Sequence, residues 1–384
     1  MTNPKRISLL MSDTGGGHRA SAEAIQEALL EQANEPLHIE LVDIFRQYTP
    51  FPYKNFPEIY PLLVAYGKRI FWEPTYRLSD GFQRARIIAT LTLPTLWRGM
   101  RHFAREVQSD LFVCLHPLIL RPVLHGLQHN RPPFVTVVTD LVSTHAFWYH
   151  READLTIVPT VAAFEQGLRY RMPAHRMKVI GLPVAQKFSK PQQPQAQLRS
   201  ELGWHLDLPT VLVIGGGDGM GPLREIAQHL ANLAIPLQLV VVCGRNETLR
   251  EQLAAQTWQN PTHIYGFMRN MPELMTAADL VVTKAGPSSI VEALNCGKPL
   301  VLSSAIPGQE DGNVLYITQS GAGVWAPTPN QVAAAVTELL QGGAMGLHAA
   351  AARARQLAMP NAASEIAQQL LHYLELLNTP NTPS

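Results

Sequence analysis

RISLLMSDTGGGHRASAEAI, residues Arg6–Ile25, runs from an apolar strand through three glycines into a helical pattern. Glycines at such a junction let the backbone approach an anion closely. The helix start adds unpaired N–H groups and the positive end of a dipole. His18, directly behind the glycines, can serve either that anion or a reaction beside it. VIGGGDGMGPL, Val213–Leu223, repeats the arrangement in the second half. Around these junctions, short β-branched runs alternate with helical patterns: RISLLM, HIELVD, DLFVCL, FVTVVTD, DLTIVP and MKVIG, then TVLVIG, LQLVVVC, HIYGF, DLVVT, PLVLS and GAGVW. Such alternation predicts parallel sheets. The expected fold is α/β, two Rossmann-like, doubly wound parallel-sheet domains facing a cleft, where such folds hold their ligands.

A chain of 384 residues suits two such domains. The first spans 1–182. PVAQKFSKPQQPQAQ, residues 183–197, is polar, carries three prolines and reads as a linker. The second domain spans 198–360, and a helix over 361–378 is expected to pack back on the first, with NTPNTPS loose behind it. A content of 46% hydrophobic and 16% charged residues describes a soluble globular protein. The first apolar run is too short for a signal peptide, and no stretch is long enough to span a bilayer. Cys114, Cys243 and Cys296 form no CxxC and sit in apolar surroundings, which predicts buried thiols in a reducing cytoplasm and no metal site.

The net charge of +1 hides an asymmetry. Residues 51–105 hold nine Lys/Arg against three acids, a net +6, leaving −5 for the rest. The same segment holds Phe51, Tyr53, Phe56, Tyr60, Tyr66, Phe71, Trp72, Tyr76, Phe82 and Trp97. Basic residues interleaved with aromatics suit an anionic membrane surface or a nucleic acid. A solvated helical insert with ordinary core aromatics is the plainer alternative.

Gly15-x-Gly17-x-x-Ala20 satisfies a dinucleotide fingerprint, with Asp43 where a ribose-binding acid would sit, so a dehydrogenase is one candidate. The second glycine loop does not satisfy it, and no Walker motif is present. In DLVVTKAGPSSIVEALNCGKPLVLSSAIPGQEDGN, Asp279–Asn313, Pro287 and Ser288 fall at the first turn of a helix and Glu292 one turn on. An anion at the helix start and a ribose diol held by Glu292 fit that spacing, since a carboxylate accepts two hydroxyl protons. Gln309, Glu310 and Asn313 offer amides and carboxylate suited to a sugar. The plainer alternative is that Ser288 caps the helix and Glu292 faces water.

Together, MSDTGGGHRASAEAI, VTDLVSTHAFWYH, VIGLPV, GGGDGMGPL, VVVCGRNETL, GFMRNM, TKAGPSSIVEA and IPGQEDGN fall in order through both halves. On these blocks the chain resembles the monogalactosyldiacylglycerol synthase family, relatives of the peptidoglycan transferase that adds N-acetylglucosamine to lipid I. One departure is Ser288, where the family usually has glycine after KAGP. The resemblance implies a GT-B fold, with an N-terminal acceptor domain facing the membrane and a C-terminal domain binding the UDP-sugar. The implied reaction is inverting transfer of a hexose, galactose favoured and glucose the alternative, from UDP to 1,2-diacylglycerol.

On that resemblance, Gly16 and Gly17 line the first junction, and Gly216, Gly217, Gly219, Met220, Gly244, Gly286, Ser288 and Ser289 cradle the donor's phosphates. Phe267 and Met268 lie against uracil, Glu292 takes the ribose, and Gln309 and Glu310 hold the hexose with Asn313 in support. The ten aspartates include no DxD pair, so no metal cofactor is expected and backbone dipoles stabilise the leaving UDP. His18 is the expected base, held neutral by the helix N-terminus, with Asp140 as rival base or orienting group. His145, Trp148, Tyr149 and His150 are expected to line the acceptor entrance. The partners expected are UDP-hexose, diacylglycerol and an anionic membrane met through residues 51–105, with no nucleic acid, and the location is peripheral on the cytoplasmic face of the membrane. A UDP-sugar epimerase of the same fold and a non-catalytic UDP-binding module are the alternatives.

Overall fold

The computed structural model describes all residues except 1–3, 15, 60–71, 191–192, 218, 220, 343–345 and 377–384. The expectations for Gly15, Met220 and Asp218, for Tyr60, Tyr66 and Phe71 in the basic segment, and for the terminal NTPNTPS lie outside the described residues. Two compact units result. One comprises residues 1–185, 307–309 and 361–384, the other 186–306 and 310–360.

In the first unit six strands form a fully parallel sheet of order β2-β1-β3-β4-β5-β6. They are β1 (Lys5–Met11), β2 (Leu37–Asp43), β3 (Leu111–Cys114), β4 (Phe134–Val137), β5 (Leu155–Val158) and β6 (Met177–Val179). Side chains alternate between two cores, as the two-residue period of a strand requires. Ile7, Leu9 and Met11 pack with Ile25 and Leu29 of helix α1 (Gly17–Gln32). Leu10, Phe112 and Cys114 face the other way, against Phe103 and Ile119. Among the described residues five more helices precede β6: α2 (Ile44–Tyr48), α3 (Glu73–Ser79), α4 (Phe82–Glu106), α5 (Pro117–Leu127) and, after β5, α6 (Val161–Arg169).

The second unit repeats the plan with the strand order of a dinucleotide-binding fold, β12-β11-β10-β7-β8-β9, again all parallel. Its strands are β7 (Thr210–Ile214), β8 (Gln238–Val242), β9 (Thr262–Tyr265), β10 (Leu280–Lys284), β11 (Leu300–Ser304) and β12 (Gly323–Trp325). Its helices are α7 (Gln195–Glu201), α8 (Leu223–Ala231), α9 (Glu247–Ala254), α10 (Met271–Ala277), α11 (Pro287–Asn295), α12 (Asp311–Ser320), α13 (Pro329–Gln341) and α14 (Leu347–Leu357). The last helix, α15 (Ala362–Leu376), belongs to the first unit. Ile366, Ala367 and Leu370 enter its core, and Gln32 Nε2 donates to Ser364 Oγ at 3.0 Å.

The segment read as a polar linker is more ordered than its composition suggests. It holds a 3-10 turn at Gln186–Phe188 and the start of α7, and the Phe188 and Leu198 side chains bracketing its second half are buried. One aromatic and one aliphatic anchor give those residues tertiary partners that no local pattern reveals.

Candidate active site

In each unit the glycine junction follows the strand at which chain direction reverses across the sheet. In the first unit that point lies between β1 and β3, with α1 on one face and α5 on the other. Gly16, at φ 78°, is the left-handed N-cap of α1, which Gly17 opens. His18 follows, and His116 caps α5 by accepting from Leu118 N at 3.3 Å. The two imidazoles meet edge to face at 4.7 Å. Because His116 Nδ1 accepts, its Nε2 carries the proton and donates to Thr14 Oγ1 at 3.2 Å. Thr139 Oγ1 sits 2.8 Å from His18 Nδ1.

Burial lowers the His18 pKa to about 4, against an opposing contact with the Leu115 backbone. His116 is also lowered well below the usual histidine value, again first by burial and then by His18. The direction expected for His18 holds, but its principal cause is desolvation rather than the helix dipole.

Asp140, 7% exposed, accepts from Trp148 Nε1 at 2.6 Å and from Gln309 Nε2 at 3.3 Å. Gln309 thus groups with the first unit, although it was expected beside Glu310 at the hexose. The hydroxyl bonded to the His18 imidazole belongs to Thr139, the sequence neighbour of Asp140. The expectation that His145, Trp148 and Tyr149 line an entrance is corrected. All three are buried, with His145 Nδ1 capping a 3-10 turn by accepting from Phe147 N at 3.2 Å. His150 is half-buried. Asp43, the ribose acid of the dehydrogenase reading, is also occupied. Its carboxylate caps α2 through Arg46 N at 3.1 Å and accepts from Asp13 N at 3.3 Å.

In the second unit the direction reverses between β7 and β10. The turn after β7 needs glycine for space as well as conformation. A Cβ on Gly219, at φ 61°, would lie 2.1 Å from Cys243 O, and one on Gly244, at φ 59°, 2.5 Å from Gly217 O. Gly216 and Gly217 therefore lie on the open side of a tightly wound loop, with Arg245 N donating to Gly217 O at 2.9 Å. Arg245 also reaches over Phe267, its guanidinium 5.3 Å from a ring that is 54% exposed, while Met268 is half-buried.

Helix α11 opens with Gly286 as N-cap and Pro287 as first residue, and no side chain caps it. Ser288 and Ser289, both half-buried, are thus not engaged as caps, contrary to the plainer reading. Glu292, one turn on, is pushed up to about 7 by burial. Asn313, expected to support the hexose, is buried and donates from Nδ2 to Ala285 O at 2.9 Å, bracing the turn into α11 from behind.

Glu310, expected to face the hexose, is 2% exposed. Its Oε1 accepts from Lys284 Nζ at 2.8 Å and its Oε2 from Ile306 N at 2.8 Å. Lys284 was missed as a candidate although it stands in the quoted TKAGP motif, because a lysine ending a strand has no spacing signature. Thr139 and His116 were missed for the same reason: each lies two residues past a strand, β4 and β3, and acquires partners only through the sheet. No cluster of three His, Cys, Asp or Glu that could hold a metal exists among the described residues.

Two Rossmann-like units, each with a glycine-lined turn at its switch point, define the GT-B fold. The structure of MurG from Acinetobacter baumannii shares the fold, with a TM-score of 0.61 and 17% identity over 96% of this chain and 100% of that one. The calicheamicin glycosyltransferase CalG4 does so with a TM-score of 0.63 and 14% identity over 98% and 100%. Residues 18–184 match the family model of monogalactosyldiacylglycerol (MGDG) synthase, and residues 210–370 that of the glycosyltransferase family 28 C-terminal domain. A probable chloroplastic monogalactosyldiacylglycerol synthase of Glycine max is 36% identical over 96% of this chain and 71% of its own length. The chain belongs to the monogalactosyldiacylglycerol synthase family.

Proposed function

We propose that this protein transfers galactose from UDP-galactose to 1,2-diacylglycerol with inversion, giving a β-galactosyl diacylglycerol and UDP. What carries this reading is that the likeness to galactolipid synthases runs through both units. The second unit supplies the donor site. Amides of the Gly216–Gly217 turn and of the α11 start face the diphosphate, Phe267 and Met268 the uracil, and Glu292 the ribose diol. Ionised Glu292 accepts both hydroxyl protons, and its elevated pKa favours binding of a group that donates to it. The first unit supplies the base. His18, neutral above about pH 4, takes the acceptor hydroxyl's proton as its oxygen attacks the anomeric carbon and the electron pair of the breaking bond leaves with UDP. Asp140, already bonded to Trp148 and Gln309, shapes the surroundings of that reaction. No metal ion takes part in this scheme.

The acceptor is membrane-resident, and α4 suits that. Ala85, Ala89, Leu96, Met100 and Phe103 face the protein, whereas Ile87, Ile88 and Leu91 form a second, exposed apolar strip on the same helix. Leu78 on α3 is also exposed, and Arg84, Arg86, Arg98 and Arg101 lie along α4. An apolar strip among arginines fits the boundary of an anionic bilayer. No described helix is long and apolar enough to cross one. As part of the same proposal, the protein works as a peripheral enzyme on the cytoplasmic face, held there by the α4 strip and its arginines.

The test offers labelled UDP-galactose and UDP-glucose in parallel, with diacylglycerol vesicles, with and without EDTA. Galactosyl diacylglycerol of β configuration, formed equally with EDTA, is expected. Glucosyl product alone reassigns the donor, and sugar turnover without diacylglycerol favours an epimerase.

A further inference from the structure

We propose that Lys284 is the fixed cation that receives the donor's diphosphate, and that Glu310 is its positioning residue rather than a sugar ligand. The inference rests on the reading of the second unit as the UDP-sugar site. Lys284 ends β10 at the switch point, and its side chain crosses the mouth of the turns on either side. Its Cε lies 3.8 Å from where a Cβ on Gly216 would stand, and its Nζ 2.7 Å from where one on Gly286 would stand. The ammonium therefore occupies the space those two glycines leave open, between the β7 turn and the N-cap of α11. Backbone amides approach a phosphate at both places, and the lysine adds the full charge that partial dipoles lack.

The carboxylate that holds it is itself fixed. Glu310 is 2% exposed and is tied to Ile306 N, whereas Lys284 is 33% exposed, so one end of the pair is buried and the cation faces outward. A buried acid gripping a half-exposed lysine aims it. As the C1–O bond breaks, the electron pair stays on the β-phosphate oxygen, and Lys284 Nζ offsets the added negative charge without transferring a proton. Gly286 cannot carry a side chain without displacing the lysine, whose Nζ stands 2.7 Å from the Cβ position.

The first experiment uses the unaltered protein. Lys284 is labelled with an amine-reactive acylating reagent in the presence of UDP, UMP or uridine, followed by peptide mass spectrometry, with calorimetry on the same samples. UDP should slow labelling at least tenfold and uridine not at all. Equal labelling with UDP demonstrably bound overturns the proposal while leaving the donor-site reading intact. Absence of UDP binding removes both. In the second experiment Lys284→Met should raise the UDP dissociation constant by about 10–100-fold and that of uridine by less than about threefold. Equal losses for UDP and uridine overturn the proposal. Glu310→Gln keeps an acceptor for Ile306 N but frees the lysine; UDP should then protect Lys284 less well, and unchanged protection overturns the positioning role. Should Lys284→Met fail to fold, the labelling result decides.

Discussion

Thr139 Oγ1 and His18 Nδ1 stand 2.8 Å apart, joining the loop just past β4 to the second residue of α1. For His18 to accept a proton at Nε2, Nδ1 must carry one and donate it to the Thr139 hydroxyl, the direction the proposed base role requires. Thr139→Val should lower kcat about tenfold with little change in UDP affinity, and Thr139→Ser should restore most of it. Steady-state kinetics paired with UDP calorimetry checks both.

His18→Ala should lower turnover by about 10²-fold or more with UDP affinity nearly intact. With a folded pKa of about 4, His18 remains a competent base well below the usual imidazole range. The acid limb of kcat/KM should therefore fall near pH 4 rather than near 6.5 while the protein stays folded. Stability has the same sign. His18 and His116 are both lowered by burial, so the unfolded chain binds more protons below about pH 6.5 and the fold weakens as pH falls from there toward 4. Replacing His116 by Gln should flatten that decline in a thermal-melt series.

Glu292 acts in the opposite direction. Raised to about 7, it binds a proton more readily folded than unfolded, so its burden on stability appears as pH rises through about 4.5–7. Glu292→Gln should stabilise the protein at pH 8 by about 1–2 kcal/mol while weakening UDP binding at least tenfold. A variant that melts higher and still binds UDP normally would remove the ribose role.

Vesicle co-sedimentation tests α4. Leu91, 73% exposed, should lose roughly tenfold in binding as Leu91→Ser. Arg98→Gln should weaken binding by about 1 kcal/mol on anionic vesicles only, with the difference disappearing in high salt. Binding indifferent to anionic lipid, salt and both substitutions would defeat the membrane assignment.

A buried ion pair bears on stability alone. Arg199 Nη2 meets Asp279 Oδ2 at 2.6 Å, and the same oxygen accepts from Thr210 N at 2.7 Å at the start of β7. Asp279→Ala leaves Arg199, 6% exposed, without its counter-charge and should cost about 3–5 kcal/mol, read by chemical denaturation. UDP affinity of the folded fraction should be unchanged.

The sequence by itself determined the parts whose cause is local. Runs such as RISLLM and TVLVIG have the near-continuous apolar character of strands covered on both faces, and the glycines behind them mark turns that larger residues cannot make. The α/β fold and the glycine turns were legible for that reason. Only the tertiary structure decided which side chains meet. Thr139 reaches His18 across 121 positions because β1, β3 and β4 are neighbours in the sheet. Glu310 turns inward to Lys284, Asn313 braces Ala285, and Asp43 closes its own helix cap, although all three read as free ligands along the chain. A polar side chain's role depends on the partner that reaches it first, and strand order, which no local spacing encodes, sets that partner.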